Sequence, residues 1–326
     1  MGEPAPLLGT SAAPVPPGAS AEWVVGAGGK KLRAALFSLS GTPRGSVILS
    51  GGRTEPIEKY FEVAGELTAR GFVVLAHDWR GQGLSERLLG ERLKGHAVRY
   101  RDFVTDLAAL SAAFEPRLPK PWLAIGHSMG GCLTALALAM GERRVSGAVL
   151  SAPMFGIRLG SVPEAVARAL ALTTTGLGLA SLLPPGSRLH ETPAPFADNI
   201  LTHDPVRYAR NSGVAEAHPE LALGPPTFGW LRFAFAAMDE LQHGRRISTV
   251  GVPIVVVAAG DDQIADNVAI RRVTARFPRG RLVEEAGAFH EILQETDDHR
   301  RVFWREFDEL ADQVAPRPAA ATSPRA

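Results

Sequence analysis

The sequence predicts an α/β protein with a mostly parallel central sheet, interrupted once by an inserted helical block. Short apolar runs alternate with amphipathic helical stretches from about residue 46 to residue 151, as expected of parallel strands linked by crossover helices. Between about residues 154 and 249 helical segments follow one another without a clear strand, and from 253 to 314 the alternation resumes. An all-helical block between two α/β portions predicts a cap over the carboxyl edge of the sheet. The expected organisation is a first core portion at 21–153, a helical cap at 154–249 and a second core portion at 250–314.

The elements follow from local punctuation. Residues 22–25, 31–38 and 46–49 read as strands separated by glycine-rich or Gly/Pro turns. Residues 57–70 form an amphipathic helix that ends at Gly71, ahead of the apolar strand 72–76. The turn-rich loop His77-Asp-Trp-Arg-Gly-Gln-Gly-Leu-Ser85 then lies at the carboxyl end of a strand, where α/β proteins place their sites. Asp78 and Arg80 are read there as an internal Asp–Arg brace of the loop in preference to substrate contacts. A helix at 100–114, a strand at 122–125 with the helix that follows it, and a strand at 148–151 complete the first portion. Helical segments at 163–183, 205–217 and 227–241 make up the cap. Strand 253–258, helix 266–277, strand 281–284 and helix 299–314 make up the second portion.

Composition sets the outer limits. With 326 residues, 45% apolar and 21% charged, the chain is long enough for one large domain with an insertion. A formal net charge of +1 argues against a surface dedicated to nucleic acid. Cys132 is the only cysteine, which excludes an intrachain disulfide framework and a cysteine-built metal site; one helical turn after Ser128, it reads as a small buried side chain. Residues 1–20 and 315–326 are rich in Pro and Ala without apolar periodicity and are expected to be disordered tails. The first has neither a basic start nor a continuous apolar stretch, so a cytoplasmic protein is expected, at most peripheral to a membrane. The longest uncharged run, 169–187, is interrupted by Gly176, Gly178, Pro184 and Pro185, which suits a buried or interfacial helix better than a membrane span. Nothing in the composition fixes an oligomeric state.

Chemistry concentrates at Gly126-His-Ser-Met-Gly130. The G-x-S-x-G pattern alone is weak, with roughly 0.2 chance matches expected in a chain of this glycine content. Its context is stronger: an apolar strand precedes it and an Ala/Leu-rich helix follows, the strand–turn–helix setting that lifts a serine hydroxyl above a sheet. A serine needs a histidine base, and the base needs a carboxylate to fix its tautomer and stabilise the imidazolium. Among nine histidines, His290 lies in the loop after strand 281–284, in the order serine, acid, histidine. His127 reads as locally packed, and His299, among Asp297, Asp298, Arg300 and Arg301, as a solvated surface residue. The acid falls after strand 253–258, where spacing leaves Asp261 and Asp262 equal and Asp266 reads as a helix cap.

Several further segments carry a family likeness: Gly52-Arg-Thr-Glu-Pro56, Asp78-Trp-Arg-Gly-Gln-Gly-Leu-Ser85, Ser151-Ala-Pro-Met-Phe-Gly-Ile157, Leu201-Thr-His-Asp204, Arg207-Tyr-Ala-Arg-Asn211, Gly224-Pro-Pro-Thr-Phe-Gly-Trp230 and Phe289-His-Glu-Ile-Leu293. With the serine turn they resemble the bacterial lysophospholipase and monoacylglycerol lipase branch of the α/β-hydrolases, whose domain is also described as of serine aminopeptidase type. The likeness runs from about Leu32 to Leu310 and includes the cap. It implies the α/β-hydrolase fold, Ser128 as nucleophile, His290 as base and no metal or organic cofactor. The family's acid precedes a second aspartate by four positions, which implies Asp262. The implied oxyanion donors are the backbone N–H groups of Met129 and Arg53. The chain departs from monoacylglycerol lipases by having Gly51-Gly52 in place of His-Gly.

The resulting expectation is a serine carboxylic ester hydrolase that releases a fatty acid from lysophospholipid or monoacylglycerol through an acyl-enzyme. The cap, with Phe155, Phe228, Trp230, Leu231 and Phe235, is expected to bind the lipid and to offer a face for membrane contact. Arg207, Arg210, Arg232, Arg245 and Arg246 are the basic residues available to a phosphate. A proline iminopeptidase-like activity would draw on Glu216, Glu220, Asp239 or Glu240 to hold a substrate amine. A non-catalytic binding module is the remaining alternative, and an intact serine, aspartate and histidine set argues against it.

Overall fold

The structure, a computed structural model, describes residues 2–160, 162–189 and 195–317. Nine strands form one sheet: β1 (Pro4–Ala5), β2 (Ala19–Val25), β3 (Lys31–Phe37), β4 (Gly45–Ser50), β5 (Phe72–His77), β6 (Trp122–His127), β7 (Val145–Ser151), β8 (Ile254–Ala259) and β9 (Gly280–Glu285). The spatial order is β1-β2-β3-β5-β4-β6-β7-β8-β9. Pairing is antiparallel as far as β5 and parallel from there to β9. The parallel strands β4, β5, β6 and β8 are buried along their whole length, as continuous apolar runs under helices on both faces require. This is a mostly parallel sheet with an antiparallel edge, as the resemblance implies.

Helices α1 (Phe61–Ala69) and α8 (Asp297–Val314) cover one face; α2 (Tyr100–Phe114), α3 (Met129–Ala139) and α7 (Asn267–Thr274) belong to the other. In α8 the buried Phe303, Phe307, Leu310 and Ala311 recur at helical spacing and Asp297 and Asp298 occupy the first turn, where acidic groups favour the helix dipole. The helix α3 is buried on every side, which accounts for a sequence of small and aliphatic residues.

The inserted block holds α4 (Glu164–Gly176), α5 (Pro205–Ala217) and α6 (Phe228–His243). One boundary and one placement differ from expectation. The first cap helix stops at Gly176 instead of continuing to 183, after three successive threonines and just before Gly178, whose φ of +79° ends helical geometry. The last helix, α6, is not roof but wall: Phe233, Ala234, Ala237, Met238 and Leu241 are buried in the same apolar cluster as α2 and α3. A helix apolar over most of its circumference must be covered on most sides, and α2, α3, α4 and α7 supply the cover.

The expected N-terminal tail needs correction. Pro4 and Ala5 pair with Glu22 and Ala21, the Leu8 N–H donates to Glu58 at 3.0 Å, and Ala13 is buried against Val214 and Leu221 of the insertion. A Pro/Ala-rich strand lacks periodicity, yet its extended backbone still offers carbonyls and small side chains to a neighbour, as where Arg33 donates to the Pro6 carbonyl at 3.0 Å. At the other end the Ala315 carbonyl accepts from Arg44 Nε at 2.9 Å; residues 318–326 lie outside the described residues. Among the described residues no helix is long and apolar enough to cross a membrane.

Candidate active site

Ser128 stands between β6 and α3 with φ 50° and ψ −116°, a backbone conformation that L-residues adopt only under constraint. The constraint is visible on both sides. Ser128 N–H donates to the Ser151 carbonyl at 3.0 Å, and the Ser128 carbonyl accepts from Cys132 at 3.0 Å and Met154 at 2.9 Å. A Cβ on Gly126 would lie 2.7 Å from the Gly131 Cα, and one on Gly130 would run into the Ser50 carbonyl. Glycine at both positions is therefore steric: strand and helix cross too closely for any side chain.

Three loops converge on this turn. His290 Nε2 lies 3.0 Å from Ser128 Oγ, and His290 Nδ1 lies 2.7 Å from Asp262 Oδ2. Asp262 Oδ1 accepts from the N–H groups of Ile264 and Ala265, each at 2.8 Å. Burial of Asp262 opposes ionisation, but its hydrogen bond and charge attraction to His290 and the two N–H donors outweigh it and hold the carboxyl below its usual range. With the Nδ1 proton directed at Asp262, Nε2 is left to accept from the serine hydroxyl. It is Asp262 that meets the histidine; its neighbour Asp261 is exposed, and Asp266 caps α7 by accepting from Val268 N–H at 2.9 Å.

This geometry accompanies a family match. Residues 41–297 match the family described as serine aminopeptidase, S33. The chain belongs to that family. It is 34% identical over 275 residues to lysophospholipase L2 of Escherichia coli K12, covering 78% of this chain and 77% of that one. It is 29% identical to a monoacylglycerol lipase of Mycolicibacterium smegmatis, over 83% of this chain and 90% of that one. Among solved structures it is similar to a thermostable carboxyl esterase from Bacillus coagulans in complex with glycerol (TM-score 0.73, 18% identity, 91% and 99% coverage). The Saccharomyces cerevisiae monoglyceride lipase gives a TM-score of 0.68 at 20% identity, with 88% and 93% coverage. The chain is a serine hydrolase of the α/β-hydrolase fold.

Around the hydrolase's serine the buried carboxylates are paired. Lys59 Nζ bridges Glu55 at 2.8 Å and Glu291, the residue after His290, at 2.6 Å. Burial works against charge at Glu55, yet Lys59, His127 and the Tyr60 hydroxyl bring its pKa down to about 2. Glu55 Oε2 also accepts from the Gly52 N–H, so that N–H is not free for a substrate oxygen. The Arg53 and Met129 N–H groups meet no acceptor among the described residues; that of Met129 belongs to the first turn of α3, where no intrahelical partner exists. His127 lies under the site, with Nδ1 3.2 Å from the Ser151 carbonyl and burial lowering its pKa to about 4.

The histidine loop has its own brace. Glu295, fully buried, accepts from the Phe289 N–H at 2.8 Å and the His203 N–H at 2.9 Å, and contacts His203 Nδ1 at 2.8 Å, so it ties the loop to the insertion. His203, Glu295 and His299 bring potential ligand atoms within 4.8 Å, but both Glu295 oxygens already serve backbone N–H groups, which fits a brace better than a metal site. His299 is not a solvated surface residue as expected: it is half-buried and bound to Glu285 at 2.9 Å. Asp78 braces its loop, but with Arg33 at 2.7 Å in place of Arg80, which pairs with Asp106 at 2.6 Å.

A cavity of about 310 Å³ opens over Ser128, walled by Met154, Ile157, Leu159, Trp230, Leu231 and Ile264 among others. It shares Arg53, Thr54, Leu201, Ile264 and Glu291 with a larger space of about 620 Å³ under α5. Of the five expected lipid contacts, Trp230 and Leu231 line the smaller cavity. Phe155, Phe228 and Phe235 do not: Phe155 packs toward Phe277, Phe235 lies under Arg168, and Phe228 is buried at the start of α6. Phe228 and Phe235 were read from one face of a helix that the core largely covers, so helical spacing could not separate cavity from core; Phe155 lies outside that helix, in the segment after β7. The arginines proposed for phosphate are engaged elsewhere: Arg207 with Glu62 and Asp297, Arg210 with Glu62 and Gln294, Arg232 with Thr175, and Arg246 with Glu240; Arg245 lines neither cavity. The carboxylates considered for an amine do not face either cavity, and Asp239 is bound to Arg168 at 2.9 Å. The sequence reading missed the Glu55–Lys59–Glu291 cluster and the Glu295 brace. Their only cue was acidic residues within motifs already marked, at Glu55 and Glu291.

Proposed function

We propose that the protein is a lysophospholipase that cleaves the fatty acyl ester by acyl transfer through Ser128. The observation that carries the reaction type is the hydrogen-bonded chain Ser128–His290–Asp262. Ser128 Oγ attacks the ester carbonyl carbon while its proton passes to His290 Nε2, and the carbonyl oxygen becomes an oxyanion held by the N–H groups of Arg53 and Met129. Collapse breaks the bond to the glycerol oxygen, which leaves with the proton from His290. Water then gives a proton to His290, attacks the acyl carbon and frees the fatty acid, and the proton returns to Ser128.

The substrate class is supported by the relatives' names and by the cavity. Aliphatic and aromatic side chains wall the space over the serine on the insertion side, as an acyl chain requires. The outer surface of the insertion also suits a lipid boundary: Val166, Leu170, Leu172, Leu177 and Leu182 are exposed, with Leu172 at 60% and Leu177 at 71%. We assign this face to peripheral contact with a membrane from which the substrate is drawn. A panel of lysophosphatidylcholine, monoacylglycerol, short esters and aminoacyl amides, run with wild type and Ser128→Ala, tests the proposal. The expected result is serine-dependent fatty acid release with lysophospholipid turned over fastest; amide preference, or equal activity in the two proteins, overturns it.

A further inference from the structure

The guanidinium of Arg53 stands apart from the other buried charges near the serine. It is half-buried on the wall common to the two cavities and has no carboxylate within ion-pair distance among the described residues. Nη2 donates to the Gly224 carbonyl, the group lies over the Trp230 ring at 5.3 Å, and Nε is buried with no acceptor. Trp230 Nε1 beside it is likewise buried without an acceptor. Burial without an anion lowers the Arg53 pKa to about 10. The side chain is also held in place: a Cβ on Gly95 would lie 2.5 Å from Nη2, so the backbone beneath is cleared for it. The remaining charges on these walls do not neutralise it. Glu55 and Glu291 are both bound to Lys59, Arg188 and Asp198 are exposed on the larger cavity's rim, and Arg158, exposed on the smaller cavity, is itself a cation.

A buried cation with unmet donors is costly unless something anionic arrives. From the geometry we infer that the Arg53 side chain is the receptor for the phosphodiester of the substrate, placed in the larger cavity while the acyl chain occupies the smaller one. This rests on the lysophospholipase reading and adds a residue that selects phospholipid over neutral glyceride. The reach of the side chain suits it. With the backbone N–H of Arg53 as a donor to the ester oxyanion, its guanidinium carbon is as many bonds from that nitrogen as the phosphorus of a 1-acyl lysophospholipid is from the ester carbonyl carbon. Both spans are about 7 Å when extended. One residue thus meets the developing charge with its main chain and the fixed charge with its side chain.

The test compares lysophosphatidylcholine with 1-monoacylglycerol of the same chain length, both monomeric, in wild type, Arg53→Met and Arg53→Lys. Because every substitution keeps the backbone N–H, a common loss on both substrates measures damage to the site, and the ratio of the two kcat/KM values measures phosphate recognition. The ratio is expected to fall about 10- to 100-fold in Arg53→Met, chiefly through KM, and to recover in part in Arg53→Lys. In a second arm glycerol 3-phosphate and inorganic phosphate compete against a neutral short ester. Glycerol 3-phosphate is expected to inhibit wild type more strongly than inorganic phosphate and to lose that advantage in Arg53→Met. If lysophospholipid is hydrolysed but the ratio is unchanged in Arg53→Met, the inference fails and the lysophospholipase reading stands. If lysophospholipid is not hydrolysed while glycerol 3-phosphate competes through Arg53, the anion site stands and the substrate reading fails. If neither occurs, both are overturned.

Discussion

Beneath Ser128 the buried charges are matched: Glu55 and Glu291 share Lys59, Glu58 and Asp78 share the fully buried Arg33, and Asp262 holds His290. Along α4 and the segment after it the pattern is inverted, with large aliphatic side chains facing outward and ion pairs at the rim, such as Arg168 with Glu164 and Asp239. The first region is organised to hold atoms in place, because a proton transfer over hydrogen-bond distance tolerates little displacement. The second is organised to meet something apolar that is not part of the chain. A substitution should therefore act on rate or stability in the floor, and on access to substrate in the roof.

The largest effect expected is loss of the nucleophile. Ser128→Ala should lower kcat for any ester by roughly 10⁵-fold or more with little change in thermal stability, measured by steady-state kinetics and a melting curve. Asp262→Asn should lower kcat by about 10⁴-fold, since it disturbs the histidine tautomer, while Asp261→Asn on the exposed side of the same loop stays within about twofold. Comparable losses in the two aspartate variants would break the distinction drawn between adjacent residues of one loop.

Stability gives the next contrast. Arg33→Met leaves Glu58 and Asp78 buried without their cation and should cost about 3–5 kcal/mol in denaturant unfolding. Arg246→Met, which removes an exposed partner of Glu240 from the insertion side, should cost less than about 0.5 kcal/mol. A smaller effect comes from pH. Burial lowers the pKa of His77, 3.0 Å from Ser50 Oγ, to about 4. The unfolded chain takes up this proton below about 6.5 while the folded chain refuses it until about 4, so stability falls as pH is lowered through that window, by up to about 3 kcal/mol. Because His127 is lowered to about 4 in the same way, His77→Gln should roughly halve the dependence of unfolding free energy on pH between 7 and 4.5, and an unchanged slope would show that His77 does not contribute.

What was legible in the sequence follows the same division. Ser128, Asp262 and His290 could be read because each follows a strand of a repeating βα pattern, and chain order places loops at one end of a parallel sheet. Spacing left Asp261 and Asp262 equal, and only the resemblance separated them, because a turn's side-chain directions are set by its backbone angles and not by position. Periodicity could not place Phe228 and Phe235: α6 is buried over most of its circumference, so its pattern states that it is covered without stating by what, and Phe155, in the segment after β7, belongs to no helical pattern. The docked N-terminal segment was missed for the opposite reason. Pro4 to Ala13 contribute backbone carbonyls, N–H groups, the buried methyl of Ala13 and the partly buried Ala5, Leu7 and Leu8, and this set has no helical or strand period.

The smallest effect is expected at the roof, and it is the one that most sharpens the comparison. Leu172 and Leu177 lie outside both cavities and away from the serine, so they cannot influence the hydrogen-bonded chain directly. Each leucine transferred from water to a lipid boundary is worth up to about 1.5–3 kcal/mol, and partial immersion yields a fraction of that. The double substitution Leu172→Ser and Leu177→Ser should therefore weaken partitioning onto phospholipid vesicles by about tenfold, read by sedimentation. It should lower hydrolysis of vesicle-embedded lysophospholipid about tenfold more than hydrolysis of a monomeric short ester. Equal losses on the two substrates would mean that α4 supports the site itself, and the separation between a floor that does chemistry and a roof that gathers substrate would fall. Selective loss on vesicles would instead place the apolar surface of the insertion in the path by which lipid reaches Ser128.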